Sequence, residues 1–419
     1  MNVVFFIDHK YRDFFSMAQI AYKLDKKINN IFFLPNSKYK FLQYFDYAII
    51  LKPQLPLAIQ NQYNLGKLKT KIIIIESEGL NQDLEFEINP GLIPDLWLFW
   101  NEYEKKKYEY LKSKKNVLLH SIGNPRLELL KNRSYQELLV NLYGEFKSEY
   151  KIITISSSLH ECFFDKEEIE QKRIRRQRQF KKSMNYDLYL RNSHLLLELI
   201  TSALKDLIKK YENFIFILKP HPNEKIQYWI DLKSNLNSNN LILFSKGNII
   251  NLLKNSSLHI ALNGCTTTLE AKLMNIPTLE LHTQYSKNLY HKDHLNLPDY
   301  KALNKTDILS TVNLLKENKI KINKIDEDYV NKYLFNFDKN TIYEYAKVLT
   351  DFIYSHKYKS NLFSSLFLNL FIRFDYFIEY FYLIKNRFFN NKNNLNYKYN
   401  HRILFNEHLK LNKIFKGKI

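Results

Sequence analysis

Short apolar runs recur along the first three-quarters of this chain, and they form two successive series. In the first series, helical patterns such as 14–24 lie between runs whose length and aliphatic content predict buried strands. The predicted strands of this series are 3–7, 30–34, 47–51, 71–75, 96–100 and 117–122. Strands that alternate with helices are typical of a parallel sheet with crossover helices. This alternation of predicted strands and helices restricts the chain to the α/β class.

A second series of the same kind begins after a helical pattern at 135–143. Its predicted strands are 152–156, 214–218, 241–244, 258–261 and 278–281, and its predicted helices are 194–211, 249–254, 267–274 and 305–317. Two parallel-sheet units of this size predict two Rossmann-like lobes that face a cleft. We expect an N-terminal lobe at 1–135, a second lobe at 136–345 and a helical tail at 346–419. No G-x-G-x-x-G pattern follows a strand, which argues against a dinucleotide site.

The composition indicates the cellular compartment of the chain and the class of partner that it binds. Only Cys162 and Cys265 are present, so a disulfide framework is excluded and the cytoplasm is the expected compartment. The formal net charge of +20 favours an anionic partner, although an AT-rich genome would also enrich the chain in Lys. Nucleic acid is not expected to be that partner, because no RNP, OB or helix-turn-helix pattern accompanies the charge.

One polar motif follows a predicted buried strand of the second lobe. Lys219-Pro220-His221-Pro222 stands at the carboxyl end of the run 214–218, and ligands of open α/β sheets bind outside the carboxyl ends of strands. Pro222 restricts His221 to extended geometry, which fixes the direction of the imidazole. The motif predicts two cationic or hydrogen-bonding groups for a phosphate, or else a structural turn histidine.

A second motif opens a predicted helix after the run 258–261. Its candidate ligands for a nucleotide are Asn263, Gly264, Thr266, Thr267, Thr268 and Glu270. A helix N-terminus with free N–H groups and hydroxyls binds phosphate readily, although threonines there also serve simply as caps. Glu270 suits either ribose hydroxyls or the helix dipole. With the first motif, this one predicts a pocket for a nucleotide mono- or diphosphate.

Two carboxylates follow the most apolar strand of the first lobe. Glu76 and Glu78 are two residues apart, so in an extended segment they share one side. A carboxylate at a strand end is a candidate general base for an acceptor hydroxyl. An acidic loop without chemistry is the alternative. The D-x-D pattern of Asp326-Glu327-Asp328 lies in a charged loop and is interpreted as solvated surface, so neither a metal nor a cofactor is expected.

The tail differs in composition from the two lobes. Leu362, Leu366 and Leu370 recur at helical spacing among many Phe, Tyr, Lys and Arg residues. Such a segment suits an anionic membrane surface, with rings at the headgroup boundary. Packing against the lobes and a dimer interface remain alternatives. The expected location is therefore cytoplasmic, either free or peripheral on the inner face of the membrane.

Four motifs in order carry a family resemblance. Glu-x-Glu-Gly at 76–79, Gly-Asn-Pro-Arg at 123–126, Lys-Pro-His-Pro at 219–222 and Asn-Gly-Cys-Thr-Thr-x-x-Glu-Ala at 263–271 resemble bacterial surface carbohydrate biosynthesis proteins of the GT-B glycosyltransferase type. The resemblance covers about 1–317. Three of the motifs are also similar to those of bacterial sialyltransferases and capsule Kdo transferases. Ser77 departs from the adjacent acidic pair of the sialyltransferases, and Asn275 replaces the usual glycine before Ile276-Pro277.

The resemblance implies a metal-independent, inverting transfer from a nucleotide sugar, with a CMP-linked donor as first choice. Glu78 would be the base, with Glu76 as its rival, and His221, Thr266 and Thr267 would hold the donor phosphate in the second lobe. Asp8 and Arg12 resemble the acidic–Arg–acidic opening of the family and would lie on the acceptor side, in the first lobe. The implied partners are a nucleotide sugar and a glycan or lipid-linked acceptor.

Three other functions remain open at this point. One is a UDP-N-acetylglucosamine 2-epimerase-like enzyme, and another is a glycerol- or ribitol-phosphate transferase. The third is a non-catalytic GT-B scaffold at the membrane surface. The basic aromatic tail favours a transferase or a scaffold over a soluble epimerase.

Overall fold

A computed structural model describes residues 1–25, 28, 30–51, 55–76, 92–131, 148–179, 185–245, 247–262, 265–336, 340–356 and 372. These residues form two compact units. The described residues of Met1–Gly79, Pro90–Pro125 and Asn336–Ile419 make the first unit, and those of Arg126–Phe335 make the second.

The first unit contains a six-stranded parallel sheet in the order β2-β1-β3-β4-β5-β6. Its strands are β1 Asn2–Ile7, β2 Asn30–Pro35, β3 Tyr47–Ile50, β4 Lys71–Ile75, β5 Leu96–Phe99 and β6 Leu118–Ser121. Both faces of the central strands are covered, which explains their continuous aliphatic and aromatic sequences. The strand order reverses between β1 and β3.

Helices and tighter turns connect these strands. The α-helices are α1 Phe15–Lys23, α2 Leu57–Asn64, α3 Glu102–Lys107 and α4 Pro125–Lys131, which leads into the second unit. A π-helical turn, Lys10–Phe14, precedes α1. Two 3₁₀ segments, Asn36–Tyr44 and Glu109–Ser113, lie in other described connections.

The second unit contains another six-stranded parallel sheet, in the order β12-β11-β10-β7-β8-β9. Its strands are β7 Lys151–Ser156, β8 Phe214–Lys219, β9 Leu241–Leu243, β10 Leu258–Leu262, β11 Thr278–Leu281 and β12 Tyr300–Ala302. The order reverses between β7 and β10, as in a doubly wound Rossmann sheet.

Nine α-helices of the second unit follow α4 in the described chain. They are α5 Lys166–Gln179, α6 Tyr186–Lys210, α7 Ile226–Leu236, α8 Ile249–Leu253, α9 Thr266–Leu273, α10 Ser286–Leu289, α11 Lys292–Leu295, α12 Lys305–Lys316 and α13 Glu327–Tyr333. A 3₁₀ turn, His160–Phe163, follows β7.

The predicted strands of both series are confirmed to within a residue or two, and the α/β class with them. Two elements go beyond the prediction. β12 is only three residues long and carries Lys301 at its centre, so its sequence shows no apolar run. α6 begins at Tyr186, eight residues before the predicted start, with Asn185 as its N-cap. The predicted helix at 135–143 lies outside the described residues.

The last described helix, α14 Thr341–Ser355, belongs to the first unit and crosses the predicted boundary at 345/346. Its apolar side, including Leu349 and Phe352, is buried. The Tyr47 hydroxyl, at the start of β3, lies 2.9 Å from the carbonyl oxygen of Ile353. The Tyr345 hydroxyl donates to the carbonyl oxygen of Gly123 at 2.8 Å. Burial of this amphipathic face draws the chain back to the first unit.

Most of the predicted tail lies outside the described residues. Ile372 is described, and it is 8% exposed within the core cluster of the first unit that contains Val4 and Phe6. At this one position the tail therefore packs against the first unit. In the part of the chain that the structure describes, we find no helix with the length and apolar character required to cross a bilayer.

Candidate functional site

The carboxyl edge of the second sheet gathers most of the residues predicted to bind a nucleotide. The strand order reverses between β7 and β10, and a ligand of a doubly wound sheet binds at such a reversal. His221 follows β8, and the threonine-rich helix α9 follows β10. The fold therefore brings the two predicted motifs to one edge of one sheet.

Two histidines stack at this edge. The rings of His221 and His160 have centroids 5.1 Å apart and planes inclined by 29°. The backbone N–H of Asn223 donates to Nδ1 of His221 at 3.2 Å, which fixes the ring. Nδ1 of His160 is buried and has no hydrogen-bond partner among the described residues. The sequence analysis missed His160, although its place just after a predicted strand of the same sheet was a usable signal.

A buried carboxylate ties the two histidine-bearing loops together. Glu224 accepts hydrogen bonds from the Ser157 hydroxyl (2.8 Å), the Leu159 backbone N–H (2.7 Å) and the Trp229 indole (2.7 Å). Burial raises the pKa of Glu224, and these hydrogen bonds oppose that rise. Because Ser157 and Leu159 follow β7 while Glu224 follows β8, the carboxylate holds the loops of His160 and His221 at a set spacing.

Lys219 lies at the end of β8 with its ammonium group 5.6 Å from the centre of the Phe244 ring. Burial lowers its pKa to about 8, and no carboxylate pairs with it in the described part of the chain. Lys219 is the register partner of Ser156 on β7. The Ser156 hydroxyl is buried and likewise has no hydrogen-bond partner among the residues described. An anion at this point would satisfy both groups.

A buried histidine of β10 is hydrogen-bonded to the first turn of α9. His259 of β10 lies between two hydroxyls, with Nδ1 2.9 Å from Thr154 Oγ1 and Nε2 2.9 Å from Thr267 Oγ1. Burial lowers the pKa of His259 to about 3, so the imidazole is neutral at physiological pH. Thr267, a predicted phosphate ligand, is thus also bonded to the interior of the sheet.

A glutamate on β11 also contacts the first turn of α9. The Thr268 hydroxyl donates to Oε2 of Glu280 at 2.8 Å, and Oε1 of Glu280 lies 3.0 Å from Nε2 of His282. Thr268 is 1% exposed, so its hydroxyl serves the interior. Thr266 is half-buried, and its hydroxyl makes no hydrogen bond within the described chain. Among the three threonine hydroxyls, that of Thr266 is therefore best placed to meet a ligand.

The other predicted residues of this motif have different fates. Asn263 and Gly264 lie outside the described residues. Glu270 is buried within α9. Burial, together with the negative charges of Glu280 and Glu270, raises the pKa of Cys265 to about 11. The Cys265 thiol is therefore protonated at neutral pH and does not serve as a nucleophile.

The first unit presents carboxylates at the corresponding edge of its sheet. Glu76 directly follows β4 and is buried, and the Trp97 indole donates to its Oε2 at 3.1 Å. Glu78, the preferred base, lies outside the described residues. The structure therefore locates one of the two candidate carboxylates at a strand end, as predicted, and describes its hydrogen bond.

Asp8 and Arg12 follow β1, where the strand order of the first sheet reverses. The Arg12 guanidinium donates to Asp8 (3.1 Å) and, through Nε, to the buried Asp13 (2.7 Å). The Asn36 amide also donates to Asp8, at 3.0 Å. Arg12 thus joins two carboxylates and shapes the loop, while the Asp8 side chain stays partly exposed.

The D-x-D pattern has a structural use. Oδ1 of Asp326 accepts the backbone N–H of Asp328 at 2.8 Å and caps α13. Within the described ranges, no cluster of three or more His, Cys, Asp or Glu side chains is arranged to hold a metal ion.

No protein-family model matches the sequence, and no curated protein matches it either. Solved structures do match. The wall teichoic acid polymerase TagF, soaked with CDPG, is 14% identical over 84% of this chain and 88% of its own, with a TM-score of 0.51. UDP-GlcNAc 2-epimerase from Neisseria meningitidis, bound to UDP-GlcNAc, is 14% identical over 85% of this chain and 100% of its own, with a TM-score of 0.49. The two Rossmann-like sheets, together with the likeness to TagF, show that the chain has the GT-B fold.

Proposed function

We propose that the chain is a GT-B glycosyltransferase of surface polysaccharide synthesis that takes its sugar from a nucleotide-linked donor. One observation carries the proposal. His160, His221, Lys219 and the N-terminus of α9 converge at the carboxyl edge of the second sheet, where its strand order reverses. These groups suit a phosphate. The likeness to a wall teichoic acid polymerase supports the surface-polymer setting.

In this proposal, the donor phosphate meets three kinds of positive or hydrogen-bonding group. The imidazoles of His160 and His221 donate to its oxygens, the Lys219 ammonium neutralises its charge, and Thr266 adds a hydroxyl beside the free N–H groups of α9. As the sugar leaves, negative charge grows on the nucleotide phosphate, and preorganised donors of this kind stabilise it. The residues themselves supply that stabilisation, so the mechanism needs no divalent cation.

The acceptor chemistry is assigned to the first unit. A carboxylate after β4 takes the proton from the acceptor hydroxyl, the acceptor oxygen bonds to the anomeric carbon, and the bond from that carbon to the nucleotide oxygen breaks. Single displacement inverts the anomeric centre. Glu78 is the proposed base. Glu76 is the weaker candidate, because the Trp97 indole already stabilises its charged form.

A CMP-linked sugar is the proposed donor, on the strength of the His-Pro and Thr-Thr motifs. A second candidate is transfer of a polyol phosphate from a CDP-linked donor. Two groups of phosphate-binding side chains favour it, the histidine pair and the set formed by Lys219, Ser156 and Thr266, because a diphosphate would occupy both. The TagF structure contains CDPG, which supports a cytidine nucleotide as the carrier in the donor.

A thermal-shift panel of CMP, CDP, UDP, GDP and their sugars tests the assignment. A nucleotide that binds only the folded chain raises its apparent stability by mass action, about 2.7 kcal/mol at a hundredfold excess over Kd. Stabilisation by CMP and CMP-sugars above all others supports the first candidate, and preference for CDP supports the second. A preference for UDP and UDP-GlcNAc would instead favour an epimerase, and no stabilisation by any nucleotide would favour a scaffold.

A further inference from the structure

A separate cavity of about 750 Å³ lies in the first unit, at the amino edge of its sheet. Its walls are the segments that lead into β4, β5 and β6, together with the end of α2. The residues that matter for its chemistry are Tyr63, Lys69, Lys71, Asp95, Lys114 and Lys115. β4 is five residues long, so Glu76 at its other end is roughly 16 Å away. The cavity is therefore remote from Glu76.

A compact hydrogen-bond network organises one wall. Asp95 accepts from the Tyr63 hydroxyl at 2.6 Å, from the Ile72 backbone N–H at 2.9 Å and from the Lys71 ammonium at 3.1 Å. Lys115 donates to the Tyr63 hydroxyl oxygen at 2.6 Å and lies 3.6 Å from Asp95. These bonds fix two ammonium groups at the cavity wall and occupy the carboxylate of Asp95.

The charge of the wall is not balanced. Asp95 is the only acidic side chain among the described lining residues, which also include four lysines: Lys69, Lys71, Lys114 and Lys115. Lys114 rests over the Tyr110 ring at 5.3 Å and has no carboxylate partner in the described chain. Burial lowers the pKa of Lys115 despite the nearby Asp95, and the charge of Lys71 adds to that decrease. With four lysines and one aspartate in the lining, three positive charges remain after Asp95 is counted.

We infer that this cavity is a second binding site, for a phosphate ester of the size of a phosphorylated saccharide or a lipid headgroup. A phosphate monoester carries close to two negative charges and three acceptor oxygens, so the three surplus ammonium groups can neutralise it and donate to its oxygens. The cavity volume falls in the range of small-ligand sites. Gly66 lies at the wall, and a Cβ built there meets nothing within 4 Å, so that side is open to a ligand. The inference does not depend on the proposed glycosyl transfer.

Calorimetric titration of the full chain with glucose 6-phosphate tests the site, with glucose and inorganic phosphate as companion probes. The test variant is Lys114→Glu, which reverses one wall charge and leaves the Asp95 network intact. The matched control is Lys112→Glu, two residues earlier on the exposed 3₁₀ segment and outside the cavity lining. We expect Lys114→Glu to bind glucose 6-phosphate about tenfold more weakly than Lys112→Glu, and glucose alone to bind neither.

Vesicles of phosphatidylcholine with and without phosphatidic acid separate the two sources of the ester. A lipid headgroup as ligand predicts that Lys114→Glu sediments less with phosphatidic acid vesicles than Lys112→Glu does. A soluble ester predicts equal sedimentation of the two variants but a difference in the titration. Equal behaviour of the two variants in both assays would overturn the site. Nucleotide binding by the second unit should be the same in both variants, so a failure here is distinct from a failure of the proposed function.

Discussion

The two sheets have the same number of parallel strands but differ in what they bury. The central strands of the first sheet are almost wholly apolar, and β4 reads Lys-Ile-Ile-Ile-Ile. The second sheet buries Thr154, His259 and Glu280 on three neighbouring strands, each at most 1% exposed. Buried polar groups cost free energy unless they are hydrogen-bonded. Two of them, His259 and Glu280, are bonded to the first turn of α9. The interior of the second sheet therefore fixes a helix N-terminus, whereas the interior of the first sheet is apolar packing.

The carboxyl edges of the two sheets also differ in charge. The first presents Glu76 and Asp8, which are acids. The second presents Lys219, His160 and His221, which are hydrogen-bond donors or cations. An acid edge suits removal of a proton, and a basic edge suits a phosphate. The proposed division of labour between acceptor and donor follows from this difference.

The largest effect that would sharpen the comparison concerns the acid edge. Glu78→Gln removes the proposed base, so we expect turnover to fall about 10²–10⁴-fold while donor affinity is kept. Transfer assays beside nucleotide titrations provide the measurement. Glu76→Gln is the matched variant, and it should retain more turnover. If Glu76→Gln collapses and Glu78→Gln does not, the role moves to Glu76, and activity in both would remove the base from this edge.

The buried histidine of the second sheet predicts a marked acid sensitivity. The native pKa of His259 is about 3, below its ordinary value, so the unfolded state binds more protons between that pH and about 6.5. Stability is therefore present above pH 6.5 and is lost as the pH falls. By about pH 4 this residue should account for about 3 kcal/mol of lost stability.

Urea unfolding at several pH values checks this prediction. The stability of His259→Asn should depend on acid pH less than that of the parent, whereas the exposed His194→Asn should behave as the parent does. Identical pH slopes for all three proteins would show that His259 is not kept neutral by burial.

Lys219 gives the next effect. Its pKa of about 8 means that the amine begins to lose its proton just above neutral pH, and a bound phosphate favours the protonated form. Nucleotide binding should therefore take up protons and weaken as the pH rises through about 8. Lys219→Met should bind about tenfold more weakly at neutral pH and lose this pH dependence. The exposed Lys209→Met serves as control, and a pH profile unchanged in Lys219→Met would contradict the assignment.

The smallest effects separate two threonines of α9, Thr266 and Thr268. Thr266→Val removes a hydroxyl offered to the ligand, so affinity should fall by about 0.5–1.5 kcal/mol with little change in stability. Thr268→Val leaves a buried Glu280 oxygen without its donor, so stability should fall by about 1–3 kcal/mol with near-parental affinity. Titration and denaturation of both variants provide the check. The opposite result, with affinity lost in Thr268→Val and stability lost in Thr266→Val, would assign the ligand contact to Thr268 and the interior hydrogen bond to Thr266.

Much of the fold could be predicted from the sequence, because buried parallel strands are short apolar runs and the eleven predicted ones are present. The edge location of His221 and the threonines followed from strand ends alone. His160 also follows a strand end and was missed, whereas Glu224 and His259 could not be found in this way. Their roles depend on contacts between strands that are far apart in sequence, such as His259 with Thr154. The packing of α14 against the first unit could not be predicted either, because an amphipathic sequence shows that one face is buried but not which unit it packs against.

The central claim is that the basic edge of the second sheet binds a nucleotide phosphate, and calorimetric titration of His221→Ala tests it most directly. The matched control is His194→Ala, an exposed histidine of the same unit on α6. We predict that the nucleotide selected by the thermal-shift panel binds His221→Ala more weakly by about 1–3 kcal/mol, the scale of a hydrogen bond to a charged group. His194→Ala should bind as the parent does. Parental affinity of His221→Ala for every nucleotide would contradict the account.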